Sequence, residues 1–251
     1  MPKTGGLGDN GYVHGFNASG DIMALGGIGG GPAVLPFTGI DKAAYERKGG
    51  LLSGRIEFTS FFNHDSVTPA THEKLSALPR TDVHITYCRG TTLGDPAASM
   101  VSKQIGYDPT RGDDGSLTFG VEAQSNGFGI EWGQQLTAGI RTDTAATLGT
   151  SIDTLASASF GGQAYLQLFA FTGTDVTIKI QDSADNTTFA DVAGFAFTQI
   201  TTTTPTAERI AISNVSTLRR YLRVSTVTTG GFSNVQFAVN VIKNQIAGVT
   251  F

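Results

Sequence analysis

The sequence predicts an all-β chain with one short helix, on three observations. Charged residues make up only 15% of the chain and glycine supplies 33 of its 251 residues, a balance of extended, turn-rich proteins rather than helical ones. Apolar side chains recur with period two in run after run, as at Leu117, Phe119, Val121 and Ala123, or at Val176, Ile178 and Ile180. Between these runs stand clusters of Gly, Asn, Asp and Ser that suit turns. The length favours two domains, each with enough chain to bury a core.

In chain order, the first forty residues are glycine-dense: Tyr12–Asp21, then Ile22–Leu25, then Gly26-Gly27-Ile28-Gly29-Gly30-Gly31-Pro32. They predict an arm with short strands, the glycine run being a flexible loop or strand connection. A phosphate loop is excluded, because a G-x-G-x-x-G begun at Gly27 meets Pro32 and no Gly-Lys-Ser/Thr follows. Lys42–Arg47 is expected to form one or two helical turns capped by Asp41 or Thr38. The stretch from Ala43 to Asn63 organises the rest, with a charged lead-in, the pair Gly49-Gly50, and a strand from Gly54. In that strand Ile56, Phe58, Ser60 and Phe62 alternate with Arg55, Glu57, Thr59 and Phe61. A lone strand of this kind is unstable in water, so it requires a larger sheet or another subunit.

Thr68–Pro79 reads as the clearest helix, with Thr68 at the cap, Pro69 in the first position and Pro79 as the stop. Asp82–Arg89 alternates again, and 97–107, open to helix or strand by periodicity, is read as strand. Arg111–Gly115 is a turn and Ser116–Gln124 a strand. Phe128–Gly133 is expected to complete a hairpin across Ser125-Asn126-Gly127, with Trp132 in the core or an interface. Residues 139–160 are rich in Ala, Thr, Ser and Gly, which places a domain boundary near 145. Beyond it, strands are predicted at 164–171, 176–181, 195–200, 207–213, 219–227 and 232–242, a β-sandwich pattern.

The search for chemistry excludes more than it finds. A net charge of −4 and a pI near 5.5 leave no basic footprint for gripping nucleic acid. Cys88 is the only cysteine, which rules out an intrachain disulfide and a thiolate metal cluster and reads as a buried strand residue. His14, His64, His72 and His84 show no zinc-binding spacing. Asp182, Asp185 and Asn186 form a turn rather than a calcium loop. No nucleophile elbow is present, so neither catalytic residues nor a cofactor are expected. An apolar signal-peptide core and a membrane-length apolar run are both missing, so a soluble protein made in the cytosol is expected.

The succession Tyr12–Asp21, Phe37–Asp41, Tyr45–Gly50 and Gly54–Asn63, continued by 163–171, 176–186 and 219–237, resembles the major tail proteins of long-tailed bacteriophages infecting actinobacteria. The resemblance implies a tail-tube-type β-sandwich or barrel over 1–145 with a glycine-rich N-terminal arm. A second β-sandwich over 146–251 would decorate the tube exterior or be woven into the tube. It also implies a virion protein, assembled in the host cytoplasm into stacked hexameric rings. Other tail proteins would sit at the tube ends, and DNA would pass through without specific binding. Six copies of a chain carrying −4 make a negative ring that does not hold DNA. Assembly needs apolar surface that a monomer would not expose, and Tyr45, Leu51, Leu52, Phe61 and Phe62 are the candidate inter-subunit contacts. Two alternatives stay open: a decoration or carbohydrate-binding adhesion protein with Trp132, Tyr165 and Tyr221 as sugar platforms, and an enzyme built on scattered carboxylates.

Overall fold

The structure, a computed structural model, describes residues 7–65 and 70–247. Sixteen strands and one helix follow one another among the described residues. The chain opens with β1 (Asn10–Val13) and β2 (Phe16–Asn17), then runs through two long strands, β3 (Ile22–Pro36) and β4 (Arg47–Phe61), to helix α1 (Thr71–Leu75). Strands β5 (Val83–Cys88), β6 (Pro96–Arg111), β7 (Leu117–Ser125), β8 (Glu131–Gln135) and β9 (Arg141–Asp143) come next. The remainder is β10 (Ile152–Asp153), β11 (Gly162–Gly173), β12 (Thr177–Ser183), β13 (Ala190–Ala196), β14 (Thr206–Ile212), β15 (Tyr221–Val227) and β16 (Phe232–Lys243). The fold is all-β with one short helix, as the composition and periodicity predict.

The chain divides into two compact units that are not consecutive in sequence. One comprises the described residues of Met1–Gly20, His84–Ser99 and Glu131–Phe251; the other comprises those of Asp21–Val83 and Met100–Ile130. The boundary expected near 145 is therefore corrected. Strands on both sides of it share one sheet, because β16 pairs with β8 at Val241↔Gln134 and with β9 at Gln236↔Thr142.

In the first unit, β14, β11, β16, β8, the start of β6, β5, β1 and β2 follow one another as hydrogen-bonded neighbours, and a second sheet runs β10-β15-β12-β13. The two sheets close over an apolar core in which Leu166, Leu168, Phe237 and Val239 meet Ile178, Ile180, Leu222 and Val224. Each such side chain contributes about 1.5–3 kcal/mol by leaving water. Strand β11 is buried on both faces. Up to the bulge after Leu168, Ala164, Leu166 and Leu168 enter that core and Gln163, Tyr165 and Gln167 face the other way with polar groups that need internal partners; beyond the bulge Phe171 enters the core. Gln167 donates to the His84 carbonyl (3.0 Å) and to Thr86 (3.2 Å), and accepts from the Gly15 N–H (2.7 Å). Only glycine fits at position 15, where φ is +77° and a Cβ would stand 2.3 Å from the Leu168 carbonyl oxygen.

The second unit is an antiparallel sheet in the order β3-β4-β7-β6, the last strand entering with residues 100–111. Its buried face is the one predicted: Gly54, Ile56, Phe58 and Ser60 of β4, with Phe119, Val121 and Ala123 of β7. Helix α1 supplies the buried Leu75, whose carbonyl accepts from Gln104 Nε2 at 2.7 Å.

Several local expectations are revised. The glycine run 26–31 lies inside β3 rather than in a loop, because a backbone without side chains pairs with β4 as well as any other. Lys42–Arg47 is not helical: 37–46 forms the hairpin tip, closed by the Phe37 N–H on the Glu46 carbonyl (2.9 Å) and the Glu46 N–H on Thr38 Oγ1 (3.0 Å). The helix begins at Thr71 with Ala70 as its N-cap, and the predicted cap Thr68 and Pro69 lie outside the described residues. The hairpin predicted across 125–127 is absent, since β8 pairs with β6 and β16 instead of β7. That pairing leaves Trp132 half-exposed rather than in the core.

Residues 147–251 on their own lack β8 and β9 and uncover the Tyr165 and Gln167 face of β11. That fragment is expected to show no cooperative thermal transition by circular dichroism. A sharp, reversible melt would contradict the shared sheet.

Candidate assembly surface

The surface that stands out is built on the β3–β4 hairpin of the second unit. Strand β3 carries no charged residue from Ile22 to Pro36, and among the described residues it pairs only with β4. Its other edge is thus unpaired. Strand β4 pairs with β7 only over Arg55–Phe61, and the Gly54 N–H donates to Ser125 of β7, so its first part, Arg47–Ser53, pairs with β3 alone. The distal hairpin is a two-stranded arm, a form that is marginal in water without further cover.

Large apolar side chains are exposed along it: Val34, Leu35, Phe37, Ile40, Tyr45, Leu51 and Leu52. Two basic side chains lie over aromatic rings here, Arg47 over Tyr45 at 5.1 Å and Lys48 over Phe37 at 5.0 Å. All five residues proposed from the sequence as inter-subunit contacts are exposed, from Leu51 at 89% to Phe62 at 40%. They are not equivalent. Phe62 already packs within the unit, its ring 5.2 Å from Phe119 and 4.9 Å from His72. Phe61 shares no such ring cluster among the described contacts.

On the face of the sheet bearing Arg55, the strands present Ser53, Glu57, Glu122 and Gln124. Glu57 and Glu122 stand directly opposite each other in the β4–β7 register, and Arg55 pairs with Glu57 at 3.1 Å. A cleft of about 540 Å³ opens over Gly27–Gly30, Ser53–Arg55, Gln124 and Ser125.

Helix α1 is fastened by polar groups that sequence spacing did not reveal. Thr71 donates to the Asp21 carboxylate, which also accepts from Asn63 at 3.1 Å. His72 Nδ1 and the Tyr107 hydroxyl share a hydrogen bond of 2.9 Å, and His64 and His72 meet edge-on with ring centroids 5.9 Å apart. Glu73 accepts from the Ala70 N–H at 3.0 Å and pairs with His64 Nδ1. Burial pushes the Glu73 carboxyl up, but the hydrogen bonds from His64 and the backbone outweigh it and hold the group at about 2. In the other unit His14 and His84 stack at 5.9 Å. No signal in the sequence pairs these histidines, since packing of a loop on a helix joins His64 to His72 and packing of a turn on a strand joins His14 to His84. Among the described residues no group of three or more His, Cys, Asp or Glu is arranged to hold a metal ion.

The proposed sugar platforms are corrected. Tyr165 is buried and donates its hydroxyl proton to Glu131, while Tyr221 is partly buried and packed under Arg220 at 5.0 Å. Trp132 remains half-exposed, edge-on to Tyr87. Asp185 is turned inward on its own loop, accepting from the N–H groups of Thr188 and Thr187, which hold its carboxyl below the usual range. Cys88 is buried beside Asn240, and burial pushes its thiol up to about 12. No helix among the described residues is long and apolar enough to cross a membrane.

No family model matches the chain, and no curated protein matches it. Among solved structures it is similar to the SPP1 Dit protein, described as a paradigm of the hub adsorption apparatus in phages infecting Gram-positive bacteria. That match has 12% identity and a TM-score of 0.32, over 94% of this chain and 99% of that one. It is also similar to chains of the phage p2 baseplate in its activated conformation, with Sr (8% identity, TM-score 0.33, 95% and 99% covered) and with Ca (10%, 0.30, 95% and 99%). The likeness covers nearly the whole of each chain at TM-scores of 0.30–0.33.

Acid should release α1. A carboxyl depressed in the folded state adds stability above its unfolded value, near 4.5 for Glu73, and that stability is lost as pH falls towards about 2. Protection of the amides of residues 71–75, taken as exchange relative to the intrinsic rate at each pH, is expected to fall between pH 5 and pH 2, and Glu73→Gln to abolish this dependence.

Proposed function

We propose that the chain is a structural subunit of a bacteriophage tail that assembles with copies of itself into rings through the β3–β4 hairpin. The observation that carries this reading is the arm itself: an uncharged, unpaired strand edge joined to a two-stranded projection studded with exposed apolar side chains. Contiguous apolar surface of this kind marks an interaction site. The sequence resemblance to major tail proteins points the same way. The finer form of the reading is a tail tube of stacked hexameric rings, in which Tyr45, Leu51, Leu52 and Phe61 contact the neighbouring subunit and DNA passes without being gripped.

Negative-stain microscopy of the purified protein tests it. Rings are expected, with hollow tubes if rings stack, and a population that stays monomeric at high concentration overturns the reading.

Variants separate assembly from folding. Phe61→Ser removes an exposed side chain and is expected to leave stability within about 0.5 kcal/mol while reducing ring formation. Phe62→Ser also takes a ring from the cluster with Phe119 and His72 and is expected to cost about 1–2 kcal/mol in chemical denaturation.

A further inference from the structure

The glycines of β3 fall into three groups when each is asked what a side chain would meet, Gly26 and Gly27 being intermediate, with a Cβ 3.2 and 3.1 Å from the Glu57 side chain. A Cβ on Gly30 would lie 2.1 Å from the Ser53 carbonyl oxygen, and one on Gly54 of β4 would lie 2.6 Å from the Ile130 nitrogen. Those two are required by the chain's own backbone. At Gly29 and Gly31 a Cβ would meet nothing within 4 Å, and neither residue has the positive φ that favours glycine. Nothing in the described structure demands glycine there, although glycine weakens a strand by surrendering backbone entropy and side-chain packing. A strand glycine with open space around it fits a place where another backbone approaches closely.

Gly29 and Gly31 stand opposite Arg55 and Ser53 in the register, and Gly29, Ser53 and Arg55 line the cleft of about 540 Å³. Beside it, Glu57 and Glu122 face each other across β4 and β7, an arrangement of like charges that is unfavourable in a sheet unless a cation attends it. Arg55 attends only Glu57 among the described ion pairs.

We propose that this glycine face seats the hairpin arm, Pro32–Leu52, of a second copy of the chain. This deepens the ring-forming reading and rests on it. The fit is complementary in shape and charge: the seat lacks side chains where the arm has the protruding Leu51, and the arm carries Arg47 and Lys48 on its two opposite faces, so that one of them would meet a face carrying Glu57 and Glu122. Arm and seat are different surfaces of one chain, so the contact is head-to-tail, and it closes into a ring when the rotation between copies closes.

Complementation tests the pairing. Gly29→Val with Gly31→Val fills the seat from two positions where a Cβ meets nothing within 4 Å, and Leu51→Asp spoils the arm at an exposed side chain. Each variant alone is expected to melt like the parent and to lose assembled mass at least tenfold by sedimentation. Mixed, they should give 1:1 dimers, because the valine chain keeps its arm and the aspartate chain keeps its seat. Gly29→Ala serves as a second, smaller seat variant if the double valine lowers the melting temperature, and is expected to shift assembly to higher protein concentration. A seat variant that assembles like the parent, or a mixture that yields no dimers, overturns the seat while leaving ring formation intact. A parent that never assembles overturns the ring-forming reading and the seat with it.

Discussion

Strand β16 is the constraint on which the first unit depends. Over Phe232–Lys243 it is hydrogen-bonded to β11 on one side and to β8 and β9 on the other, so the sheet exists only when the last strand is in place. One of its residues also reaches the strands nearest the N-terminus. Asn240 donates to Ser99 at 3.2 Å and lies beside Cys88, and Ser99 shares a hydrogen bond with Thr86. Contacts separated by 141 and 152 residues cannot form before most of the chain is available, and loop-closure entropy makes such pairings slow.

A buried ion pair fixes register within the same sheet. Arg209 of β14 makes two hydrogen bonds of 2.8 Å to Glu131 of β8, and Tyr165 of β11 donates to the same carboxylate. Both charged side chains are almost wholly removed from water. Desolvation of such a pair offsets most of its Coulomb gain, so its net contribution is small, whereas removing one partner costs about 3–5 kcal/mol. Three strands are thereby held to one alignment. A one-residue slip of β11 would turn Tyr165 into the apolar core and Leu166 against a carboxylate.

This division explains what was legible in the sequence. Faces were legible: Ile56, Phe58 and Ser60, or Ile178 and Ile180, point where their alternation placed them, because burial on one side of a strand writes itself as period two. Partners were not. Nothing local tells β8 to leave β7 for β16, since that depends on pairings across the chain, and the return of α1 onto 63–64 that brings His72 to His64 leaves no mark in their spacing. The glycine run of β3 was misread for a related reason: a strand without side chains has no alternation to detect. Lys42–Arg47 was misread because helical propensity is a weak prior, and the tight tip held by Thr38 and Glu46 overrides it. The exposed apolar residues were legible as types, Tyr45, Leu51, Leu52 and Phe61 being apolar where the pattern has no inward face for them.

A long uncharged edge invites indefinite pairing as readily as a closed ring, and the sequence of β3 opposes the first outcome. Pro32 has no N–H to offer a new strand, and the register shifts at Ile22/Ala24, Leu25/Ile28 and Pro32/Val34 bend the strand, so no long straight stretch of edge remains as a template. Edge-to-edge growth is hindered without a single charge being placed on β3. What remains available is the glycine face and the side chains of the arm, surfaces that differ from each other. Two unlike surfaces on one chain generate a directional contact, and a directional contact with a fixed rotation terminates by closing. On the proposed contact, the same residues that leave the edge bare would confine association to a geometry that can end in a ring.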